Sequence, residues 1–236
     1  MTLLEVRDVT SGYGEVQILW GAQLQLEQGR LTTLVGSNGA GKTTLLRTIM
    51  GQIRPWSGQV FFQGEDVSRL PAHTKAELGM IMVPEGRQLF TDMSVEENLE
   101  MGATPQRARK KAAQNLERVF DLFPRLKERA NQKAGTMSGG EQQMLAVARG
   151  IMSEPVVLMV DELSLGLAPV LAIDLFRALR TLRKEGLTIL LVEQNVRMAL
   201  QVSDYAYVLA EGKVELDGPA AAVAKDEGVR KAYLGI

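Results

Sequence analysis

The chain has 236 residues, with 27 Lys and Arg against 28 Asp and Glu, a formal net charge of −1, no Cys and a single His. Without Cys there is no disulfide framework, thiol nucleophile, iron–sulfur ligation or Cys-based zinc site. A lone histidine, His73, rules out a His-rich metal centre, and the balanced charge speaks against an electrostatic nucleic-acid binder, whose surface carries a basic excess. A chain of this length buries roughly 70% of its unfolded surface, so it builds a core without covalent staples.

The first 30 residues read as short strands. Leu24 and Leu26 alternate with Gln23, Gln25 and Glu27, a period of two, and Gly12-Tyr13-Gly14 and Gln28-Gly29 read as turns. Leu31–Val35 is a compact β-type run, followed by a Gly-rich loop and a helix over Lys42–Met50. Residues 70–150 read as mostly helical. Leu116, Val119, Phe120 and Phe123 share one helical face, and Met144, Leu145, Val147, Ala148, Ile151 and Met152 mark another helix. The basic cluster Arg107, Arg109, Lys110 and Lys111 reads as a solvated helix face, and His73 as part of a loop after Pro71.

From there strands and helices alternate. Val156–Val160 and Thr188–Val192 are fully apolar, as in strands covered on both faces. Between them Leu171, Leu175, Leu179 and Leu182 share a helix face; Tyr205–Ala210 and Lys213–Leu216 are strands joined at Glu211-Gly212. The pattern is an α/β core with β-rich N-terminal structure and a helical insertion near 90–150. No apolar run approaches the roughly 18 residues of a membrane-spanning helix. The Met-Thr-Leu-Leu-Glu start lacks the pattern of a secretory signal, so a cytosolic location is expected.

Three segments carry chemistry. Gly36-Ser37-Asn38-Gly39-Ala40-Gly41-Lys42-Thr43-Thr44 fits G-x-x-x-x-G-K-[ST] between a strand and a helix. Its glycines let backbone N–H groups turn in around phosphate oxygens. Lys42 supplies a point charge, Thr43 a hydroxyl for Mg²⁺, and the helix its positive end. Asp161 and Glu162 end an apolar strand, where Asp161 is placed to hold Mg²⁺ and Glu162 to act as base or orienter for an attacking water. Met137-Ser138-Gly139-Gly140-Glu141-Gln142-Gln143 reads as an N-capped helix start whose glycines expose backbone donors, a second anion-binding element.

Taken in order, these motifs resemble those of ATP-binding-cassette (ABC) ATPases, over essentially the whole chain. The resemblance implies one domain spanning 1–236: a P-loop NTPase core of the ABC ATPase type, RecA-like, with an N-terminal β-subdomain and a helical subdomain at about 90–150. It implies ATP and Mg²⁺ as ligands and a second ABC ATPase subunit as partner. In that arrangement Ser138, Gly139, Gly140 and Glu141 of one subunit face the γ-phosphate held by the P-loop of the other. Tyr13 resembles the aromatic residue that stacks on adenine, and Ser164–Ala168 resembles the D-loop of the dimer interface.

The sequence departs from the family at four places. Glu85, in Val-Pro-Glu-Gly-Arg, stands where a Gln contacts Mg²⁺ or the attacking water. Gln194 replaces the switch His, Ala168 replaces the D-loop Asp, and Leu163 replaces a Pro. Gln donates a hydrogen bond through its NH₂ but carries no proton, so Gln194 positions and does not shuttle.

Val-Pro-Glu-Gly-Arg, Ser-Leu-Gly-Leu-Ala-Pro, Val-Glu-Gln-Asn and the terminal Ala232-Tyr233-Leu234-Gly235 together resemble the smaller ATPase subunit of branched-chain amino acid importers. The expected function is therefore ATP hydrolysis powering import. Integral permease subunits would dock near Glu85–Glu97 and the helical insertion, and a periplasmic or extracellular binding protein would act indirectly. The chain would lie on the cytoplasmic face of the membrane. The alternatives are a urea or short-chain amide importer with the same ATPase, and a soluble non-transport ABC ATPase; no nucleic-acid partner is expected.

Overall fold

The computed structural model describes residues 1–234; Gly235, in the terminal motif above, lies outside the described residues. In chain order the strands are β1 (Thr2–Tyr13), β2 (Val16–Glu27), β3 (Leu31–Val35), β4 (Ser57–Phe62), β5 (Glu65–Asp66), β6 (Met80–Val83), β7 (Val157–Asp161), β8 (Thr188–Glu193), β9 (Tyr205–Ala210) and β10 (Lys213–Pro219). The helices are α1 (Lys42–Ile49), α2 (Ala72–Leu78), α3 (Val95–Gly102), α4 (Gln106–Arg109), α5 (Ala112–Leu122), α6 (Pro124–Glu128), α7 (Gly139–Met152), α8 (Pro169–Lys184), α9 (Val196–Val202), α10 (Ala220–Val223) and α11 (Glu227–Val229).

These strands form two sheets. An antiparallel sheet has the order β2-β1-β4-β5, and a six-stranded sheet has the order β10-β9-β3-β8-β7-β6. From β9 to β6 the second sheet is parallel, and only β10 runs antiparallel, to β9. Both faces of its central strands β3, β8 and β7 are buried. Along β7 and β8, Leu158, Val160, Ile189 and Leu191 enter a cluster with α7, α8 and α9, while Val157, Met159, Leu190 and Val192 pack with α1 and the antiparallel sheet. Strict alternation between two apolar environments gives these strands their unbroken hydrophobic runs.

Helix α1 lies between the sheets, with Leu45, Leu46 and Ile49 fully buried among Leu4, Leu19, Leu26 and Val60. Both α3 and α7 begin with a capping box: Ser94 with Glu97, and Ser138 with Glu141. Pro169 opens α8, where its missing N–H costs nothing.

Several sequence expectations change. Residues 70–150 are not continuously helical, because β6 pairs in parallel with β7 and belongs to the core sheet. His73 lies in α2, not in a loop: Pro71 occupies the N-cap position and the helix starts at once. Within the basic cluster Arg109, Lys110 and Lys111 are exposed as expected, but Arg107 is half-buried and its guanidinium donates to the Glu154 carbonyl.

Lys75 is fully buried, and its Nζ donates to the Ile49 carbonyl at 2.6 Å, satisfying one of the orphan acceptors at the end of α1. Burial lowers its pKa to about 8, against 10.5 for a free lysine. Between those values the unfolded chain binds the extra proton, so stability rises with pH across that window. The stability difference between the parent and Lys75→Met should therefore shift toward the parent by on the order of 1–3 kcal/mol between about pH 7.5 and about pH 10. Urea denaturation of both proteins at the two pH values measures this, and a shift toward Lys75→Met would contradict it.

Candidate nucleotide site

The register of the parallel strands assembles the site. Val35 is level with Glu193, Asp161 with Val192, and Val83 with Val160. The segments leaving β3, β6, β7 and β8 therefore emerge along one edge, the carboxyl edge at which open α/β sheets bind ligands. There Asn38, Gly39, Gly41, Lys42, Thr43 and Thr44 share a cleft of about 520 Å³ with Glu85, Glu162 and Gln194.

Gly39 and Gly41 have φ of 81° and 105°, a region that residues with a β-carbon avoid. A β-carbon at Gly36 would overlap the Leu209 carbonyl oxygen. Ser37 and Ala40 belong to the same turn, closed by Ala40 N–H donating to the Ser37 carbonyl at 3.2 Å. Helix α1 then starts at Lys42 with no side-chain cap, so its first N–H groups are left for a ligand. The Lys42 ammonium reaches back over the loop and donates to the Gly36 and Ser37 carbonyls, both at 2.9 Å. Burial lowers its pKa, against the opposing pull of Glu162, Asp161, Glu193 and Glu85.

Asp161 is fully buried, and neither carboxylate oxygen has a hydrogen-bond partner. Desolvation raises its pKa to about 6; Thr43 opposes the rise, Glu162 and Glu85 add to it, and Arg47 opposes it. A buried, unsatisfied carboxylate next to a threonine hydroxyl matches the all-oxygen ligation that Mg²⁺ requires. Among the described residues there is no cluster of three or more His, Cys or acidic side chains arranged around a cation.

Glu162 follows with φ 54°, its N–H donating to the Val192 carbonyl at 2.9 Å. Gln194 Nε2 donates to Glu162 Oε1 at 2.7 Å. Glu85 is exposed on the loop after β6 and lines the same cleft.

Other expected residues stand apart. Tyr13 does not line the cleft; it is exposed at the end of β1, and its hydroxyl accepts from Arg47 at 3.2 Å. Ser138, Gly139, Gly140 and Glu141 begin α7 and are also absent from the cleft. Glu141, expected among the nucleotide contacts, is buried and accepts from Ser138 N–H at 3.0 Å and the Ser138 hydroxyl at 2.7 Å, with Arg129 at 3.1 Å. Burial alone would raise its pKa, but Ser138 and Arg129 outweigh that and lower it.

Two residues missed in the sequence organise the surroundings. Buried Asn98 holds the loop before α3, accepting from Phe90 N–H at 3.0 Å and donating to the Phe90 and Ser94 carbonyls at 2.9 Å. Glu193, at 1% exposure, accepts from Ser164. The signal for Glu193 was present, since an acid closes the apolar run of β8 just as Asp161 closes that of β7.

A family profile described as "ABC transporter" matches residues 19–164, more than half of the chain. The chain belongs to the ABC transporter family. It is an ATP-binding cassette with ATPase activity, and it binds nucleotide. It is 45% identical to the high-affinity branched-chain amino acid transport ATP-binding protein BraG of Pseudomonas aeruginosa, over 99% of this chain and 100% of that one. A relative in Archaeoglobus fulgidus, described as a probable branched-chain amino acid transport ATP-binding protein LivF, is 39% identical over 99% of both chains. A crystal structure of the ADP conformation of an ATP-binding cassette of an ABC transporter superposes with a TM-score of 0.85 at 26% identity, covering all of both chains.

The Asp161 geometry has a measurable cost. The folded chain keeps the Asp161 proton up to about pH 6 and the unfolded chain only to 3.8, so its contribution is lost as pH rises through 6. Without nucleotide or Mg²⁺ at about pH 7, Asp161→Asn should be more stable than the parent by about 1–3 kcal/mol. A less stable Asn variant in urea denaturation under those conditions would overturn this account of the carboxylate.

Proposed function

We propose that this cassette is a single ABC ATPase unit spanning 1–236, with the helical segment at about 90–150 inserted in its core, and that it powers import of branched-chain amino acids. The observation that carries the catalytic assignment is the cleft itself, where Lys42, Thr43, Glu162 and Gln194 face one another along one sheet edge. Backbone donors of Gly36–Thr44 and the Lys42 ammonium bind the phosphates. Asp161 and Thr43 would hold Mg²⁺ directly or through water, with Glu85 facing the same space. Bound there, Mg²⁺ would offset phosphate charge.

Glu162 takes the proton of the attacking water on a carboxylate oxygen. Gln194 holds that carboxylate in place through its Nε2 hydrogen bond. Ser138, Gly139 and Gly140 lie away from this cleft at the start of α7, where Ser138 is exposed, Gly139 half-buried and Gly140 buried, and a role completing the site of a second ABC ATPase subunit would fall first to Ser138 and Gly139. Tyr13 would meet the adenine from the exposed end of β1, outside the phosphate cleft.

The cargo reading rests on the names of the two relatives and on the resemblance of the Ser-Leu-Gly-Leu-Ala-Pro and Val-Pro-Glu-Gly-Arg segments. Among the described residues no helix is long and apolar enough to cross a membrane, so the pore would come from permease chains. A cleft of about 510 Å³ bounded by Ile81, Val83, Phe90, Met101 and Arg149 supports docking next to Glu85–Glu97. Phe90 and Met101 are each 45% exposed there. The cassette would then sit peripherally on the cytoplasmic face, served indirectly by a binding protein outside.

Glu162→Gln should lower kcat by about 10²-fold or more while leaving ATP affinity intact and favouring closed dimers. Gln194→Ala should lower kcat less than Glu162→Gln does; the reverse ranking in steady-state assays would refute its positioning role. Cargo is tested by purifying the assembly from native membranes and titrating its binding protein with leucine, valine and urea. Saturable binding of leucine and valine is expected. Binding of urea alone, or absence of the cassette from the membrane fraction, would overturn the importer reading.

A further inference from the structure

Glu193 has no part in the chemistry above, yet it closes β8 as a buried carboxylate with its hydrogen bonds concentrated on one residue. Oε1 accepts from Ser164 N–H at 2.8 Å and Oε2 from the Ser164 hydroxyl at 2.9 Å; Asn195 N–H lies 3.4 Å from Oε2. Burial raises its pKa, and the bonds from Ser164 and Asn195 oppose that rise. A carboxylate this enclosed keeps its charge only when donors surround it.

Ser164 lies two residues beyond Glu162, on the same turn. Glu162 is left-handed, a conformation that a side-chain-bearing residue keeps only where its surroundings over-determine it. The next residue is Leu163, at the position where the family resemblance expects Pro, so no ring fixes the backbone there. The restraints on the turn are therefore polar ones from β8 and the residue after it. Val192 O receives the Glu162 N–H, Gln194 holds the Glu162 side chain, and Glu193 holds Ser164 by backbone and side chain together.

We propose that Glu193 is a positioning residue: by clamping Ser164 it holds the strained 162–164 turn so that the Glu162 carboxylate faces the nucleotide cleft. It acts through Ser164 and touches neither nucleotide nor water. The proposal rests on the assignment of Glu162 as the proton acceptor.

The test uses the full-length chain, with steady-state ATP hydrolysis, equilibrium titration with a fluorescent ATP analogue, and amide hydrogen exchange. Glu193→Ala should lower kcat about tenfold or more, with KM and analogue affinity within about twofold. Exchange at the Ser164 amide, whose hydrogen bond goes to Glu193, should quicken about tenfold in the same variant, while α8 stays protected. Glu193→Gln retains an acceptor for the Ser164 N–H and a donor for its hydroxyl, so its kcat should recover to within about threefold of the parent. Ser164→Ala should lose about two- to fivefold in kcat and add nothing to Glu193→Ala in the double variant.

A Glu193→Ala protein with parental kcat and unchanged exchange would overturn the proposal, and so would a parallel fall in affinity and kcat. Should Glu193→Ala not fold, Ser164→Ala with parental kcat and exchange overturns it. Glu162→Gln separates the two assignments. Turnover surviving in that variant removes the role of Glu162; its loss alongside an unaffected Glu193→Ala removes only the clamp.

Discussion

The ladder of parallel hydrogen bonds from β3 through β8 and β7 to β6 is the constraint on which the site depends. Parallel strands deliver their carboxyl ends to one edge, and the register decides how far each projects. With Asp161 level with Val192 and Val35 level with Glu193, the phosphate loop, the paired acids and the Glu193–Asn195 segment leave the sheet side by side. Residues separated by more than a hundred positions in sequence reach one cleft because the ladder fixes them there. The apolar residues that hold the ladder are the same ones that fill the layers on either side of it.

Three carboxylates at this edge show how environment separates roles. Asp161 and Glu193 are equally enclosed, but the oxygens of Asp161 have no partner, whereas those of Glu193 accept from Ser164 and Asn195. The first is a buried charge that the protein itself leaves without a donor, and the second is already satisfied by protein. Between them Glu162 is partly open to the cleft and paired with an amide. No imidazole enters this arrangement, since the only histidine lies on α2. The amide of Gln194 confers geometry without a titration of its own near neutral pH.

Much of this was legible in the sequence because its signals are local. The unbroken runs of β7 and β8, the Gly-x-x-x-x-Gly-Lys-Thr loop and the Ser138 cap each need only a few neighbouring residues to be recognised, and the fold class and family followed from their order. Strand β6 escaped because four residues, Met80-Ile81-Met82-Val83, are too short to show a period and two of them favour helices equally. The 12-residue strands β1 and β2 escaped as long elements because irregular pairing breaks their alternation, with register shifts at several points including Val6/Val9. Asn98 and Glu193 escaped for another reason. Their partners, Phe90 and Ser164, are chosen by tertiary packing, so that even Glu193, visible as the acid that closes β8, does not name the residue it holds.

The placement of Gln194 and Glu193 immediately after Val192 gives β8 an unusual intolerance. Side chains on a strand alternate faces, so one residue inserted between Thr188 and Val192 would reverse every apolar side chain beyond it between the two cores. The same insertion would carry the amide away from Glu162 and the carboxylate away from Ser164. The exposed turn at Gln63 and Gly64 between β4 and β5 has no such double tie to core and chemistry, and a β-carbon at Gly64 would meet nothing. Length variation in natural or engineered variants should accordingly collect around residues 63–64 and be absent from 188–194, even though both segments are short and neither contains a phosphate-binding glycine.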